Sequence, residues 1–176
     1  MTTTTPVFRK ILVPVDFSTS SEEAWDEAQR LASDLSAALL LLHVLVWQDR
    51  FHALEPMERA AGERSRHAAG ELNIGGPRAA PETPETALQW TNDALAKWAA
   101  GPRDHGTSVQ TLVRAGTPHR EIVAAAREEK ADLIVMGTHG RSGLEHLLVG
   151  SVADRVVRTA PCSVLLCREG AAKPAA

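Results

Sequence analysis

The chain has 176 residues, with 19 lysines and arginines against 22 aspartates and glutamates, a formal net charge of −3 with histidine neutral. That length suits one domain whose core needs neither metal nor disulfide, and the near balance of charge supplies no long-range field to draw nucleic acid or an anionic membrane. Cys162 and Cys167 lie five apart in one apolar run; in an extended strand they face opposite sides and cannot pair, so a reducing, cytoplasmic setting is expected. The threonine run at 2–5 lacks the apolar core of a secretory signal, and the longest apolar stretch, 37–46, is about half of the ~20 residues a membrane-spanning helix needs.

The first element is a continuous apolar run, Ile11, Leu12, Val13 and Val15, ending at Asp16, which suits a strand covered on both faces. Pro14 conflicts with a central strand unless it lies at the carboxyl end. Ser20 and Glu23 form a capping-box pair, and Ala24, Ala28, Leu31 and Leu35 then recur at helical spacing. A second buried strand follows over 39–46, after which the pattern weakens; residues 48–82 read as a helical insertion with a loop. Thr83 and Pro84 open the next helix, with Leu88, Thr91, Ala94, Leu95 and Trp98 on its inner face and Gly101-Pro102 as its stop. Residues 108–113 alternate like a strand, Thr117-Pro118 opens a helix with Ile122, Val123 and Ala126 inward, and 131–136 is a buried strand. A last helix and a strand over 163–167 close the pattern, so the expectation is a single α/β domain over 1–176. It is an open, doubly wound, five-stranded parallel sheet with helices on both faces, Rossmann-like in winding. Ligands of such sheets collect beyond the carboxyl ends of the strands where strand order reverses, here the ends of strands one and four.

After the fourth strand the sequence reads Met136-Gly137-Thr138-His139-Gly140-Arg141-Ser142-Gly143, and later Gly150-Ser151-Val152. The glycines recur as Gly-x2-Gly-x9-Gly-Ser. Without Cβ atoms such a loop brings backbone N–H groups close to phosphate oxygens. Ser151 is expected to cap a helix beginning at Val152, whose positive end favours the same anion. Isolated glycines also simply turn a chain, and an acid such as Asp16 also caps the turn or helix that follows a strand. Arg141 is a candidate bidentate phosphate ligand, although an exposed loop arginine is more often merely solvated. His43 and His139 have no second histidine or cysteine at ligand spacing, which favours structural roles over metal binding.

This stretch resembles the universal stress protein family, and within it the members that keep the Gly-x2-Gly-x9-Gly-Ser/Thr signature associated with ATP. The similarity continues through Ala160-Pro-Cys-Ser-Val-Leu-Leu, Ile11-Leu-Val-Pro-Val-Asp-Phe-Ser and Leu42-His-Val, covering nearly all of the chain outside 48–82. The resemblance implies an adenine-nucleotide alpha-hydrolase-like sandwich with the nucleotide across the carboxyl edge. It places Pro14, Val15 and Asp16 at the adenosine, Val44 at the adenine and Met136 and Gly137 beneath base and ribose. Gly140, Gly150, Ser151 and Val152 fall along ribose and phosphates, with Arg141, on its own chemistry, a candidate ranked below the glycines. It also implies ATP, ADP or AMP as ligand, with Mg²⁺ as candidate counter-ion, and a homodimer formed through the last strand, 162–167.

No lysine follows a glycine, so the Walker loop and its phosphate-neutralising lysine are missing. Gly-x-Gly-x2-Gly is also missing, and Gly140-Arg-Ser-Gly143 falls one residue short of a nucleophile elbow. The sequence therefore predicts a nucleotide-holding regulator or sensor with at most weak ATPase activity and no assigned catalytic residue. The alternatives are a nucleotidyl-transfer or ATP-hydrolysing enzyme on the same pocket, or a dimerisation module with an empty one.

Overall fold

The structure, a computed structural model, describes residues 8–46, 83–100, 107–139 and 149–168. Strands and helices alternate as β1 (Lys10–Pro14), α1 (Thr19–Leu35), β2 (Ala38–Leu45), α2 (Pro84–Ala100), β3 (Val109–Ala115), α3 (Pro118–Glu128), β4 (Leu133–Gly137), α4 (Ser151–Thr159) and β5 (Ser163–Cys167). Every strand pairing is parallel and the order is β3-β2-β1-β4-β5. The expected five-stranded doubly wound sheet is the one observed. The segment 48–82 and the stop at Gly101-Pro102 lie outside the described residues. Among the described residues no helix is long and apolar enough to cross a membrane.

Continuous apolar strands demand cover on both sides, and alternation of side chains decides which helix covers which residue. Ile11, Val13, Leu39, Leu41, Leu133 and Val135 face one layer, where Ala24, Trp25, Ala28 and Ala32 of α1 and Leu95 and Trp98 of α2 close over them. Leu12, Leu40, Leu42, Ile134 and Met136 face the other, under Ile122, Ala125 and Ala126 of α3 and Ala153 and Val156 of α4. Cys167 packs against the first layer and Cys162 against the second, and both thiols are free, as their spacing requires.

Pro14 sits in the central strand without breaking it. The β1–β4 register extends only through Leu12↔Ile134, whereas β1 stays paired with β2 through Pro14↔Leu42 and Val15 donates to Leu42 O at 2.8 Å. Parallel strands bond to their two neighbours alternately, so the N–H that Pro14 lacks is one that would point at β4, where pairing has already ended.

The helix boundaries correct three expectations. The cap of α1 is Ser18, whose side chain accepts from Ser21 N, so the Ser20/Glu23 pair lies inside the helix; with hydroxyls at 18, 19, 20 and 21, spacing alone could not choose among them. In α2 the inward residue is Ala87, and Leu88 is 44% exposed. In α3 Ala125 is buried where Val123 was expected. The carboxyl end of α1 is closed by Ser36 in the left-handed conformation (φ 54°), its N–H directed at Ala32 and Ser33 carbonyls. That conformation penalises a side chain and suits glycine. Ser36→Gly should therefore stabilise the protein by about 0.5–1 kcal/mol, read as a higher urea midpoint with unchanged m-value.

Candidate functional site

Strand order places β1 and β4 side by side although their connections run to opposite ends of the sheet: β1 leads through α1 to β2, and β4 leads through α4 to β5. Their carboxyl ends form the switch point. The structure brings Pro14, Val15 and Asp16, Met136 and Gly137, and Gly150 with Ser151 and Val152 to this edge, with Val44 one strand further along. Gly140 and Arg141 lie outside the described residues.

Asp16 leaves β1 into a hydroxyl cluster. Its Oδ1 accepts from Ser18 N at 3.1 Å, Ser18 Oγ at 2.5 Å and Ser21 Oγ at 2.6 Å, while Asp16 N donates to Ser21 Oγ at 3.1 Å. The carboxylate thus organises the start of α1, the capping role that an acid at a strand end often takes. Ser18, Ser20 and Ser21 were not assigned to the site from sequence; an acid followed by three serines within five residues was the available signal.

Gly137 ends β4 against the first turn of α1. A Cβ there would collide with Ser20 Oγ and stand 2.8 Å from Ser20 O and 2.9 Å from its carbonyl carbon, so glycine is a packing requirement rather than a turn requirement. His139 N then approaches Ser20 Oγ at 3.5 Å, and Thr138 Oγ1 lies 3.0 Å from His139 Nδ1. Buried Met136 shares the α3/α4 layer with half-buried Val44 and Val152, forming an apolar bed beneath the edge.

The start of α4 is fastened to this edge by Gly150, whose N–H donates to Thr138 O at 2.7 Å. A Cβ on Gly150 would meet Thr138 O at 3.0 Å. Gly150 itself is the N-cap and no side-chain hydrogen bond caps α4 among the described residues; Ser151, expected to be the cap, is its first helical residue. The N-terminal turns of α1 and α4 therefore meet the edge differently: α1 is closed by Ser18, whereas α4 starts at a glycine with no side-chain cap among the described residues.

A separate groove of about 230 Å³ lies between the ends of β2 and β3 and the first turn of α2, lined by Leu45, Leu88 and Val113 among others; it contains none of the residues named for a nucleotide. Among the described residues no group of three or more histidines, cysteines or acids is placed to hold a metal.

An open sheet ordered 3-2-1-4-5, with Gly137 and Gly150 at its reversal point, defines a doubly wound, Rossmann-like α/β protein. The universal stress protein family model matches residues 8–168, and the chain belongs to that family. It is 32% identical over 163 residues to Universal stress protein MJ0531 of Methanocaldococcus jannaschii, spanning 93% of this chain and 84% of the relative. To MJ0577 of the same organism it is 30% identical, over 91% of this chain and 94% of the relative. A solved structure of MJ0577 matches with a TM-score of 0.61 at 25% identity, covering 94% and 99%. The same fold occurs in a universal stress protein in complex with cAMP (TM-score 0.52, 23% identity, covering 92% and 97%). It occurs also in one from Archaeoglobus fulgidus in complex with dAMP (TM-score 0.51, 21% identity, covering 92% and 98%).

Proposed function

We propose that the protein binds an adenine nucleotide, ATP in the first instance, across the switch point, and acts as a stress-response regulator or sensor rather than a fast enzyme. The observation that carries this reading is the start of α4, seated on the end of β4 with a glycine N-cap and no side-chain cap among the described residues. Its backbone N–H groups and dipole favour an anion, and Gly150 seats that helix start tightly against Thr138 O, where a Cβ would stand at 3.0 Å. In this reading Asp16 and the Pro14–Val15 backbone meet the adenosine, and Val44 and Met136 form the apolar bed beneath the base. Gly137, Gly140, Arg141, Gly150, Ser151 and Val152 follow the ribose and phosphates. Similar proteins with bound cAMP and dAMP support adenine as the base. These residues hold the Gly-x2-Gly-x9-Gly-Ser spacing of the ATP-binding subgroup.

Mg²⁺, where present, enters with the phosphates. Without a Walker lysine the γ-phosphate gains little transition-state neutralisation, so turnover is slow. We read residues 48–82 as an insertion within one domain, cytoplasmic in setting. Edge strand β5, with Leu165 37% exposed, supports a homodimer of two such domains.

The test is thermal melting of nucleotide-stripped protein with ATP, ADP, AMP and GTP, alongside a phosphate-release assay. A rise in Tm with the adenine nucleotides, exceeding that with GTP, and hydrolysis far below ordinary enzymatic rates are expected. No adenine-dependent shift would refute nucleotide binding; turnover of about 1 s⁻¹ or more would refute the regulator reading in favour of an enzyme.

A further inference from the structure

Between Asp16 and Ser18 the chain passes through Phe17 with φ 62°, a left-handed conformation that a phenylalanine rarely adopts. Such an outlier persists only where its surroundings over-determine it. Here they do so through the ring. Phe17 stacks on His43 with ring centroids 4.7 Å apart and an interplanar angle of 29°. It also meets Trp90 and Trp98 of α2 edge-on, at 5.4 Å and 5.6 Å. His43 is buried and its Nδ1 lies 2.7 Å from Val15 O; since a carbonyl oxygen only accepts, Nδ1 carries the proton. The ring is thereby clamped between the end of β2 and α2, and the residues on either side of it form the Asp16–Ser18 hydrogen-bond cluster.

Phe17 itself contributes no polar group, and a glycine would adopt this backbone with less strain. What the ring adds is a fixed anchor for the turn that aims the Asp16 carboxylate. We infer that Phe17 is a positioning residue of the switch-point site and that Trp90 and Trp98, through its ring, couple the attitude of α2 to the affinity of that site. The inference rests on the reading of the switch point as an adenine-nucleotide site. If the four rings were ordinary core packing, substitutions among them would lower the melting temperature and leave the affinity of the folded protein unchanged.

The experiment is a calorimetric ATP titration of wild type, Phe17→Gly, Phe17→Tyr and Trp90→Leu, each at a temperature where circular dichroism shows it fully folded. An edge-to-face aromatic pair corresponds to roughly a 2- to 10-fold change in equilibrium constant. Trp90→Leu, which changes α2 at its ring contact with Phe17, should weaken ATP by about that factor. Phe17→Gly, which removes all three ring contacts while relieving the backbone, should weaken it by about tenfold or more. Phe17→Tyr should restore binding to within about twofold of wild type, because it keeps the ring faces. Should Phe17→Gly not fold, Trp90→Leu and Phe17→Tyr still decide the matter. Wild-type binding with unchanged affinity in Trp90→Leu and in any folded Phe17→Gly overturns the inference alone. Absence of ATP binding by the wild type overturns the nucleotide reading and the inference with it.

Discussion

Gly137→Ala is expected to be the most damaging single-methyl substitution at this edge, lowering stability by about 3 kcal/mol. The added Cβ would stand 2.8 Å from the backbone oxygen of Ser20, and 2.9 Å from its carbonyl carbon, closer than real Cβ contacts come. A flexible side chain could swing away, but these atoms belong to the first turn of α1, which Ser18 and Asp16 pin in place. The strand end and the helix must separate, and dense packing on both sides of β4 leaves little room for that. Urea denaturation gives the measurement: a midpoint shifted down at constant m is expected, and a loss below about 1 kcal/mol would show that the α1–β4 contact is slack. The same separation should weaken nucleotide binding, since it displaces Asp16 from Gly137 and from the turn that carries α4.

The second large effect concerns Asp16. Asp16→Ala removes the acceptor on which Ser18 N, Ser18 Oγ and Ser21 Oγ converge, and should cost about 1–2 kcal/mol of stability, as the loss of a helix cap does. Asp16→Asn keeps an oxygen at the same place and should recover most of that stability. Affinity should separate from stability in this pair. If the carboxylate accepts hydrogen bonds from the nucleoside, both variants lose the charge-assisted interaction and bind ATP about tenfold or more weakly, Asn included. An asparagine variant that is stable and binds like wild type would confine Asp16 to capping.

The alternation of buried runs with amphipathic stretches was enough to read the fold class, because the period of the apolar residues is a local property. Strand β5 was legible to the residue, bounded as it is by Pro161-Cys162 before it and charge after it. Strand order is not a local property: periodicity alone does not make β4 the second neighbour of β1, and the expected switch point at the ends of strands one and four rested on how such sheets wind; the β1–β4 pairing bears it out. Leu88 misled because it falls at helical spacing with the true core residues, yet one residue's rotation puts Ala87 inside. At the site, Asp16 and the glycines were visible because their chemistry is unusual where they stand. Ser20 as the partner of Gly137, Thr138 as the partner of Gly150 and the ring contacts of Phe17 join residues far apart in sequence, and only the packed structure exposes them.

Nucleotide binding at the switch point is tested most directly by a calorimetric titration of the nucleotide-stripped protein with ATP, run beside Gly150→Ala. It predicts one nucleotide per chain in the wild type and a loss of about tenfold or more in the variant, whose added methyl would crowd Thr138 O at 3.0 Å and displace the start of α4. No heat of binding at millimolar ATP, or equal affinity in the two proteins, would contradict it and leave the glycine-lined edge as architecture alone.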